Sequence, residues 1–398
     1  MFRSAMLGIM LLIIVAAIVR DPSVSFQAAL EGLTVWWTIV FPGLLPFIVL
    51  SELLFAFGLV HALGVLLEPF MRRVFRLPGT AGWAVALGWT AGYPSGPDAA
   101  GRMTKGGMLT PQQGQRLAAI AHMPSPMLML LVIGAGFLHH PAAGAAIAIC
   151  VWSSGLIVGL ILAWLDKEER TSTAGSVRSG RSMPIPLRAI REMEEARLRD
   201  GRGFGQALGD AVTASVQRLL AIGGFMIGGA VLIRLLEKLL PDSLALAASP
   251  GIYEVHLGTY AISAQFPALH SPLGAAFAAG ILAWSGWSAL LASQSAFGDS
   301  GLRLAPLAAS KLLHGLLAYL IALWAWHPLL AWSEKLIPAL FGSAAPAQPV
   351  FMIGTRDNGF LQLPLIWQAS LWTLAIMAIA AICLTGLLRM LAIERPSR

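Results

Sequence analysis

Apolar residues occur in long uninterrupted runs along this chain, rather than in the alternating stripes of a soluble protein. A run of roughly 17 to 25 apolar residues is long enough to cross a bilayer as an α-helix. Five runs reach or approach that length: Met6 to Val19, Trp36 to Val60, Ala143 to Leu165, Leu304 to Trp326 and Leu365 to Leu388. Leu219 to Leu240 and Ser271 to Ser293 are weaker candidates. The pattern predicts an all-α polytopic membrane protein with about eight transmembrane helices, plus segments too short or too broken to cross alone.

Composition and charge support a membrane location. Of the 398 residues, 57% are hydrophobic and 12% are charged, whereas a soluble protein carries about twice that charged fraction. The formal net charge of +7 does not indicate nucleic-acid binding, because the basic residues lie at the ends of apolar runs, where cytoplasmic loops collect them. Nine Lys and Arg residues lie between Lys167 and Arg202, and Arg389, Arg395 and Arg398 end the chain. We therefore predict an inner-membrane protein, embedded in the lipid bilayer, whose linker and C-terminus face the cytoplasm.

Several other classes of protein and site are disfavoured. Arg3 precedes the first apolar run, but no small-x-small cleavage site precedes Arg20, so we expect a retained helix rather than a signal peptide. Cys150 and Cys383 lie inside apolar runs without ligand-like neighbours, which argues against a disulfide framework or a metal site. The chain has no phosphate-binding Gly-rich loop followed by Lys-Ser/Thr, no His-Glu-x-x-His and no visible nucleophile–base pair. We predict no enzymatic activity and no cofactor, so active transport would need an ion gradient or a downstream sink.

A single long hydrophilic segment divides the chain into two apolar halves of comparable length. We predict five regions: an N-terminal helix and connection (1–33), a first repeat (34–165), a basic cytoplasmic linker with one short surface helix (166–205), a second repeat (206–345), and a loop with a C-terminal helix (346–398). Polar breaks recur at a constant offset, since Tyr93 and Tyr253, and likewise Ser125 and Ser285, lie 160 positions apart. Paired breaks in two halves are typical of transporters built from structural repeats, although chance similarity of Gly- and Leu-rich helices is the alternative.

The most informative break follows an apolar segment that begins near Gly82. Two glycines and two prolines within six residues interrupt it after about ten residues, too few to cross a bilayer. Unpaired backbone at membrane depth survives only when it is buried in protein or lines a wet cavity. We predict a re-entrant hairpin, with an extramembrane loop as the alternative. The candidate substrate-binding residues here are Tyr93, Pro94, Ser95, Gly96 and Asp98, the last at the positive N-terminal end of the returning helix.

Further candidates lie at three later polar segments. Two prolines prevent a regular helix beside His122 and Ser125. In the second half, Glu254 and His256 follow a Ser-Pro-Gly turn and either face a cavity or merely cap a helix. The uncharged candidates are Ser285, Ser288 and Gln294. Close helix packing is the alternative for the small residues and suits Ser288, but it does not suit Gln294. Lys311 and His314 share one helical face, where they either attract an anionic solute or mark an interfacial helix end.

At these motifs the chain resembles the sporulation integral membrane proteins of YlbJ type. The resemblance rests on FPGLLPFIVLS (41–51), PFMRRVFRLPG (69–79), GYPSG (92–96) and LTPQQ (109–113), and then on EVHLG (254–258), Gln294 and KLLHG (311–315). It implies two Gate, or nucleoside-recognition, repeats in inverted orientation, similar to the core of concentrative nucleoside transporters. It also implies a role in endospore formation, and one branch of the family moves dipicolinate across the outer forespore membrane. The second repeat's motif is looser than the first.

These observations predict a transporter or facilitator for a small anionic or aromatic solute, most simply dipicolinate, working by alternating access at paired hairpins. Tyr93, Trp284 or Trp287 would stack on an aromatic ring. The alternatives are a nucleoside or another carboxylate as the solute, or a membrane scaffold that transports nothing. The sequence leaves a homo-oligomer open and gives no sign of a nucleic-acid partner.

Overall fold

The computed structural model describes residues 2–165, 184–241, 247–266 and 271–341. Within those ranges all regular secondary structure is helical, as the apolar runs predict. Five helical stretches are long and apolar enough to cross a membrane: Pro22–Ala56, Pro141–Leu165, Phe204–Leu239, Pro272–Phe297 and Leu304–Ile337. Two shorter apolar helices cover Gly8–Arg20 and Leu128–Phe137. The chain is therefore an all-α polytopic membrane protein, and the predicted span from Leu365 to Leu388 lies outside the described residues.

The helices of the first half are α1 (Phe2–Arg20), α2 (Pro22–Val35), α3 (Phe41–Ala56), α4 (Leu59–Arg73), α5 (Gly82–Ala91), α6 (Ser95–Lys105), α7 (Pro111–Ala121) and α8 (Pro141–Leu165). A π-helical turn, Trp36–Val40, joins α2 to α3, so the span predicted from Trp36 to Val60 begins earlier, at Pro22. A second π-helix, Leu128–Phe137, follows α7 after a non-helical stretch.

The helices of the second half are α9 (Ile185–Asp200), α10 (Phe204–Leu239), α11 (Pro250–Tyr253), α12 (Val255–Gln265), α13 (Pro272–Trp284), α14 (Gly286–Phe297) and α15 (Leu304–Phe341). Helix α9 is the short helix expected within the basic linker. It packs against α4, where Arg188 forms an ion pair with Glu68 at 3.0 Å. The boundaries of the five predicted regions stay predictions.

The two halves share one order of elements: a hairpin, then a broken helix, then a long helix. In the first half α5 and α6 form the hairpin, α7 and the second π-helix form the broken helix, and α8 is the long helix. In the second half α11 folds back on α12, α13 and α14 are separated by Ser285, and α15 is the long helix. Tyr93 and Tyr253 both lie at hairpin turns, and Ser125 and Ser285 both lie at helix breaks. The constant offset of 160 positions thus connects equivalent places in the fold.

The two long helices α8 and α15 pack against each other in antiparallel orientation. His140, just before α8, lies 3.4 Å from Glu334 near the end of α15. About three turns into α15, His314 instead contacts the carbonyl oxygen of Val151, further along α8. Equivalent helices that run in opposite directions are what an inverted repeat requires. The packing therefore supports the predicted inverted orientation of the two halves.

Small residues allow the broken segments to approach one another. A Cβ atom added to Gly96 would collide with the carbonyl oxygen and side chain of Ala121, at the end of α7. At the other break, Gly286 has φ +78°, and a Cβ there would lie 2.8 Å from the carbonyl oxygen of Tyr253. In each half, glycine thus lets a hairpin and a helix break meet backbone to backbone, a device common where membrane helices pack closely.

Candidate functional site

A cavity of about 450 Å³ lies where the two hairpin turns meet, bounded also by α3, α10 and α14. Its walls are mainly apolar, with a few polar groups, and its size suits a small solute. Eight of the residues predicted from sequence line it: Tyr93, Pro94, Ser95, Asp98, Ser125, Glu254, His256 and Ser288. Polar groups that are up to about 200 positions apart in sequence therefore converge on one space.

The first hairpin contributes its turn and the start of α6. The backbone reverses at Gly92, with φ +80°, and the Tyr93–Pro94 peptide bond is cis. The ring of Tyr93 stacks on that of His122 with centroids 5.0 Å apart. Its hydroxyl oxygen is buried and has no hydrogen-bond partner among the described residues. Because a buried hydroxyl without a partner is costly, the turn presents a donor ready for a bound molecule.

Two more residues of the α6 N-terminus have distinct positions. Ser95 begins the helix and lines the cavity, so the positive end of the helix dipole points at the cavity. Asp98, one turn later, forms an ion pair with Arg102 at 2.8 Å. Gly96 does not line the cavity and instead packs beneath the turn, against Ala121.

The second hairpin places a buried carboxylate at the cavity. Glu254 is only 3% exposed and precedes α12 in extended conformation. One carboxylate oxygen accepts a hydrogen bond from the backbone N–H of Leu257 at 2.7 Å, and the other lies 2.6 Å from Nδ1 of His256. The sequence left two roles open for Glu254, capping a helix and facing a cavity, and the residue fills both.

Arg218 on α10 is a cavity residue that sequence reasoning missed. Its Nη2 donates to Glu52 at 2.9 Å, while its Nη1 is buried without a hydrogen-bond partner among the described residues. A guanidinium offers five N–H donors in a planar fork that matches a carboxylate. Arg218 is therefore a natural ligand for an anionic group in the cavity.

A buried polar network joins the two helix breaks behind Tyr93. His122, which is fully buried, follows α7, and its Nε2 lies 2.8 Å from Oγ of Ser285. Its Nδ1 lies 3.1 Å from Oγ of Ser293 on α14. A neutral imidazole donates from one nitrogen and accepts at the other, so one of the two serines donates to the ring. His122 and Ser285 thus support the cavity wall and do not line it.

Lys311 and His314 extend this network from α15. Both are about 1% exposed. The Lys311 ammonium donates to the carbonyl oxygen of His122 at 2.6 Å and lies 2.6 Å from Nδ1 of His314. Neither of the two roles considered from the sequence describes this position, since the pair neither lies at an exposed helix end nor lines the cavity. The ammonium instead binds backbone that the helix break has left without helical hydrogen bonds.

The remaining sequence candidates lie away from the cavity or hold its walls together. Gln294 is exposed on α14 and does not line the cavity, so its role as a ligand stays a prediction. The indole N–H of Trp284 donates to the carbonyl oxygen of Ile252 at 3.1 Å, and Trp287 packs on Trp284. Of the three proposed stacking residues, only Tyr93 lines the cavity. Among the described residues, no group of three His, Cys, Asp or Glu side chains could hold a metal ion.

A comparison with known proteins finds a relative that matches most of the chain. It is 32% identical over 345 residues to the sporulation integral membrane protein YlbJ of Bacillus subtilis strain 168, which covers 81% of this chain and 83% of the relative. The chain belongs to the YlbJ family. No protein-family model matches the sequence, and no solved structure matches it. Membership of the YlbJ family makes this chain an integral membrane protein of a sporulation-associated group, and the Gate-domain kinship implied by its motifs stays a prediction.

Proposed function

We propose that this YlbJ-family protein is a secondary transporter or facilitator that moves a small carboxylate anion through the cavity between its two hairpins. The observation that carries the proposal is a pair of buried donors without hydrogen-bond partners among the described residues, the Nη1 of Arg218 and the hydroxyl of Tyr93, on two residues that line the same cavity. A solute with carboxylate oxygens would satisfy both. The start of α6 and the hydroxyls of Ser95 and Ser288 add uncharged affinity for an anion.

Dipicolinate is the solute that we propose within this class. It is a flat aromatic dianion, and a cavity of about 450 Å³ is large enough for it. One carboxylate would bind Arg218, and the ring would lie against Tyr93, whose other face already stacks on His122. Membership of a sporulation family supports this choice, and we propose the outer forespore membrane as the site of transport.

Alternating access would use the two hairpins as moving parts. In each half a tryptophan also bonds a hairpin to a neighbouring segment, since Trp89 donates to the carbonyl oxygen of Ile120 at 3.0 Å and Trp284 donates to that of Ile252 at 3.1 Å. A few long-range bonds of this kind can exchange without unfolding a span. Movement of either hairpin would open the cavity to one side of the membrane.

Binding by the purified protein tests the proposal most directly. Thermal shift with dipicolinate, simple dicarboxylates and nucleosides should show the largest stabilisation for dipicolinate. Replacing Arg218 by Gln should weaken binding by about tenfold or more, because a hydrogen bond to a charged group is lost. The matched control is Arg234→Gln on the same helix, where the arginine pairs with Glu237 and Glu31 away from this cavity. Equal affinity in both variants would remove Arg218 from the site.

Flux in proteoliposomes tests transport itself. Glu254→Gln and Ser95→Ala should stop dipicolinate uptake without lowering protein levels, and Arg234→Gln, which removes an arginine paired away from this cavity, should not. Wild-type flux from both cavity variants would refute the site. A stronger response to nucleosides than to any carboxylate would transfer the proposal to a nucleoside transporter.

A membrane scaffold is the second candidate, and α9 is the observation that favours it. This linker helix leaves Leu187, Ile190 and Leu198 exposed, at 53%, 56% and 75%. Deleting residues 166–205 should abolish sporulation if the protein is a scaffold, while the cavity variants should then have no effect. Transport predicts the reverse pattern.

A further inference from the structure

Lys311 is an ionisable side chain in the membrane core that the proposed solute site does not use. It lies on α15 among α7, α8, α13 and α14, and it is 1% exposed. Among the described residues, no carboxylate lies within 4 Å of its ammonium nitrogen. Burying a charge at membrane depth is costly, and such residues commonly serve ion or proton movement.

The hydrogen bonds of Lys311 define which groups can take its proton. A carbonyl oxygen only accepts, so His314 donates from Nε2 to Val151 at 2.9 Å and presents the lone pair of Nδ1 to Lys311 at 2.6 Å. The other acceptor of the ammonium is the carbonyl oxygen of His122. Lys311 therefore has one neighbour that can receive a proton and one that binds the charged form.

Few other titratable groups face Lys311. Helices α13 and α14 contain no ionisable side chain, and the only one on α8 is the buried thiol of Cys150. On α7, Arg116 is turned away and donates to the carbonyl oxygen of Phe75. The ring of His122 is the remaining group, and it bonds to serines. The proton state of the region is thus governed by the two histidines and the lysine.

His122 connects Lys311 to the cavity by two separate contacts. Its backbone carbonyl binds the ammonium, and its ring supports the ring of Tyr93 in the cavity wall. Binding of a solute against Tyr93 and loss of the proton from Lys311 would therefore both act on His122, which lies in a non-helical segment. The proton site at Lys311 and the solute site at Tyr93 are thus connected through a single residue, His122.

Resting on the proposed transport function, we infer that transport is coupled to protons and that Lys311 carries the coupling proton. When Lys311 is protonated, its ammonium binds the carbonyl oxygen of His122 and so attaches the unwound segment to α15. In the release step the ammonium N–H bond breaks and a bond to Nδ1 of His314 forms, which leaves an amine and an imidazolium. The imidazolium then gives its proton to water when the hairpins open.

The test uses full-length protein in sodium-free proteoliposomes. One experiment places dipicolinate on both sides of the membrane and measures exchange, and the other applies a pH gradient and measures accumulation. Wild type should accumulate dipicolinate in response to the gradient. Lys311→Met and Lys311→Arg should still exchange dipicolinate but should not respond to the gradient. Lys238→Met, which removes an exposed lysine paired with Asp21, should behave as wild type. A gradient response in Lys311→Arg, or a sodium requirement in wild type, would overturn the inference.

A measurement without solute separates this inference from the proposed function. Hydrogen exchange of the backbone amides of His122, Met123 and Ser125, corrected for the chemical effect of pH, should change in wild type by up to about tenfold per pH unit. In Lys311→Arg, which keeps its charge, that change should disappear. If no carboxylate is transported, the proposed function fails while this result still decides the role of Lys311. An equal pH response of hydrogen exchange in wild type and in Lys311→Arg would refute the inference. The comparison does not use Lys311→Met, so it stands even where that variant does not fold.

Discussion

The two halves repeat one order of elements but stabilise their irregular backbone by different means. The first hairpin has two arms of 10 and 11 residues, and its helix break extends over several residues after Ala121. The second hairpin has a first arm of only four residues, and its helix break is the single residue Ser285, at φ +74°. The longer break needs help from elsewhere, and Lys311 of the second half supplies it.

The second half stabilises its tighter turn locally. Glu254 caps α12 within three residues, so the carboxylate and the helix end that it stabilises belong to one hairpin. At the one-residue helix break, the backbone N–H of Ser285 likewise donates locally, to the carbonyl oxygen of Ile281 at 2.8 Å, whereas the longer break of the first half exposes the carbonyl oxygen of His122, which the distant Lys311 binds. The first break is consequently the part of the molecule on which solute and proton could both act.

The largest effect is expected at the packed base of the first hairpin. In Gly96→Ala the added methyl group would collide with the backbone of Ala121, which cannot rotate away. We expect a loss of about 3 kcal/mol or more in the free energy of unfolding. Unfolding of the purified protein in denaturant would measure it. Gly209→Ala on α10 is the control, because nothing lies within 4 Å of the new methyl group. Similar stability in the two variants would mean that the first hairpin is not packed on its broken helix.

A smaller effect is expected at the cap of the second hairpin. Glu254→Ala removes the acceptor of the Leu257 N–H and the partner of His256, so the free energy of unfolding should fall by about 1 to 2 kcal/mol. Glu254→Gln keeps an acceptor oxygen and should lose less stability while still losing flux. The same denaturant experiment compares the two variants. Equal destabilisation would show that the negative charge, and not the cap, holds the turn.

The sequence predicted the features of this fold that depend on neighbouring residues better than those that depend on long-range packing. The breaks at Tyr93 and Ser125 are marked by adjacent glycines and prolines, and the constant offset extended them to Tyr253 and Ser285. These features are visible because they depend on backbone geometry within a few residues. Helix α9 was equally visible as a charged stretch between apolar runs.

The parts that sequence did not predict depend on which helices meet. Arg218 stands in a long apolar helix without a nearby break, and its partner Glu52 lies 166 positions earlier. Lys311 and His314 were placed correctly on one face, but their burial is set by the packing of α15 on α8 and α13. The same limit applies to Gln294. Helix α14 is apolar with several serines along it, and this pattern does not show which helix face meets the cavity.

The smallest effect is expected where the linker meets the first half. Helix α9 is held to α4 partly by Arg188 and Glu68, whose side chains are 27% and 18% exposed, and a partly exposed ion pair contributes about 1 kcal/mol or less. Arg188→Gln should therefore raise the rate at which a glutamyl-specific protease cleaves α9 by a few-fold. Arg191→Gln is the matched control, since that arginine pairs with Glu195 on the same exposed helix surface. High salt should reduce the difference between the two variants by screening the pair. Equal cleavage at low salt would mean that apolar contacts alone, in the cluster that joins Ala189 to Ala62 and Val65, attach the linker to the first half.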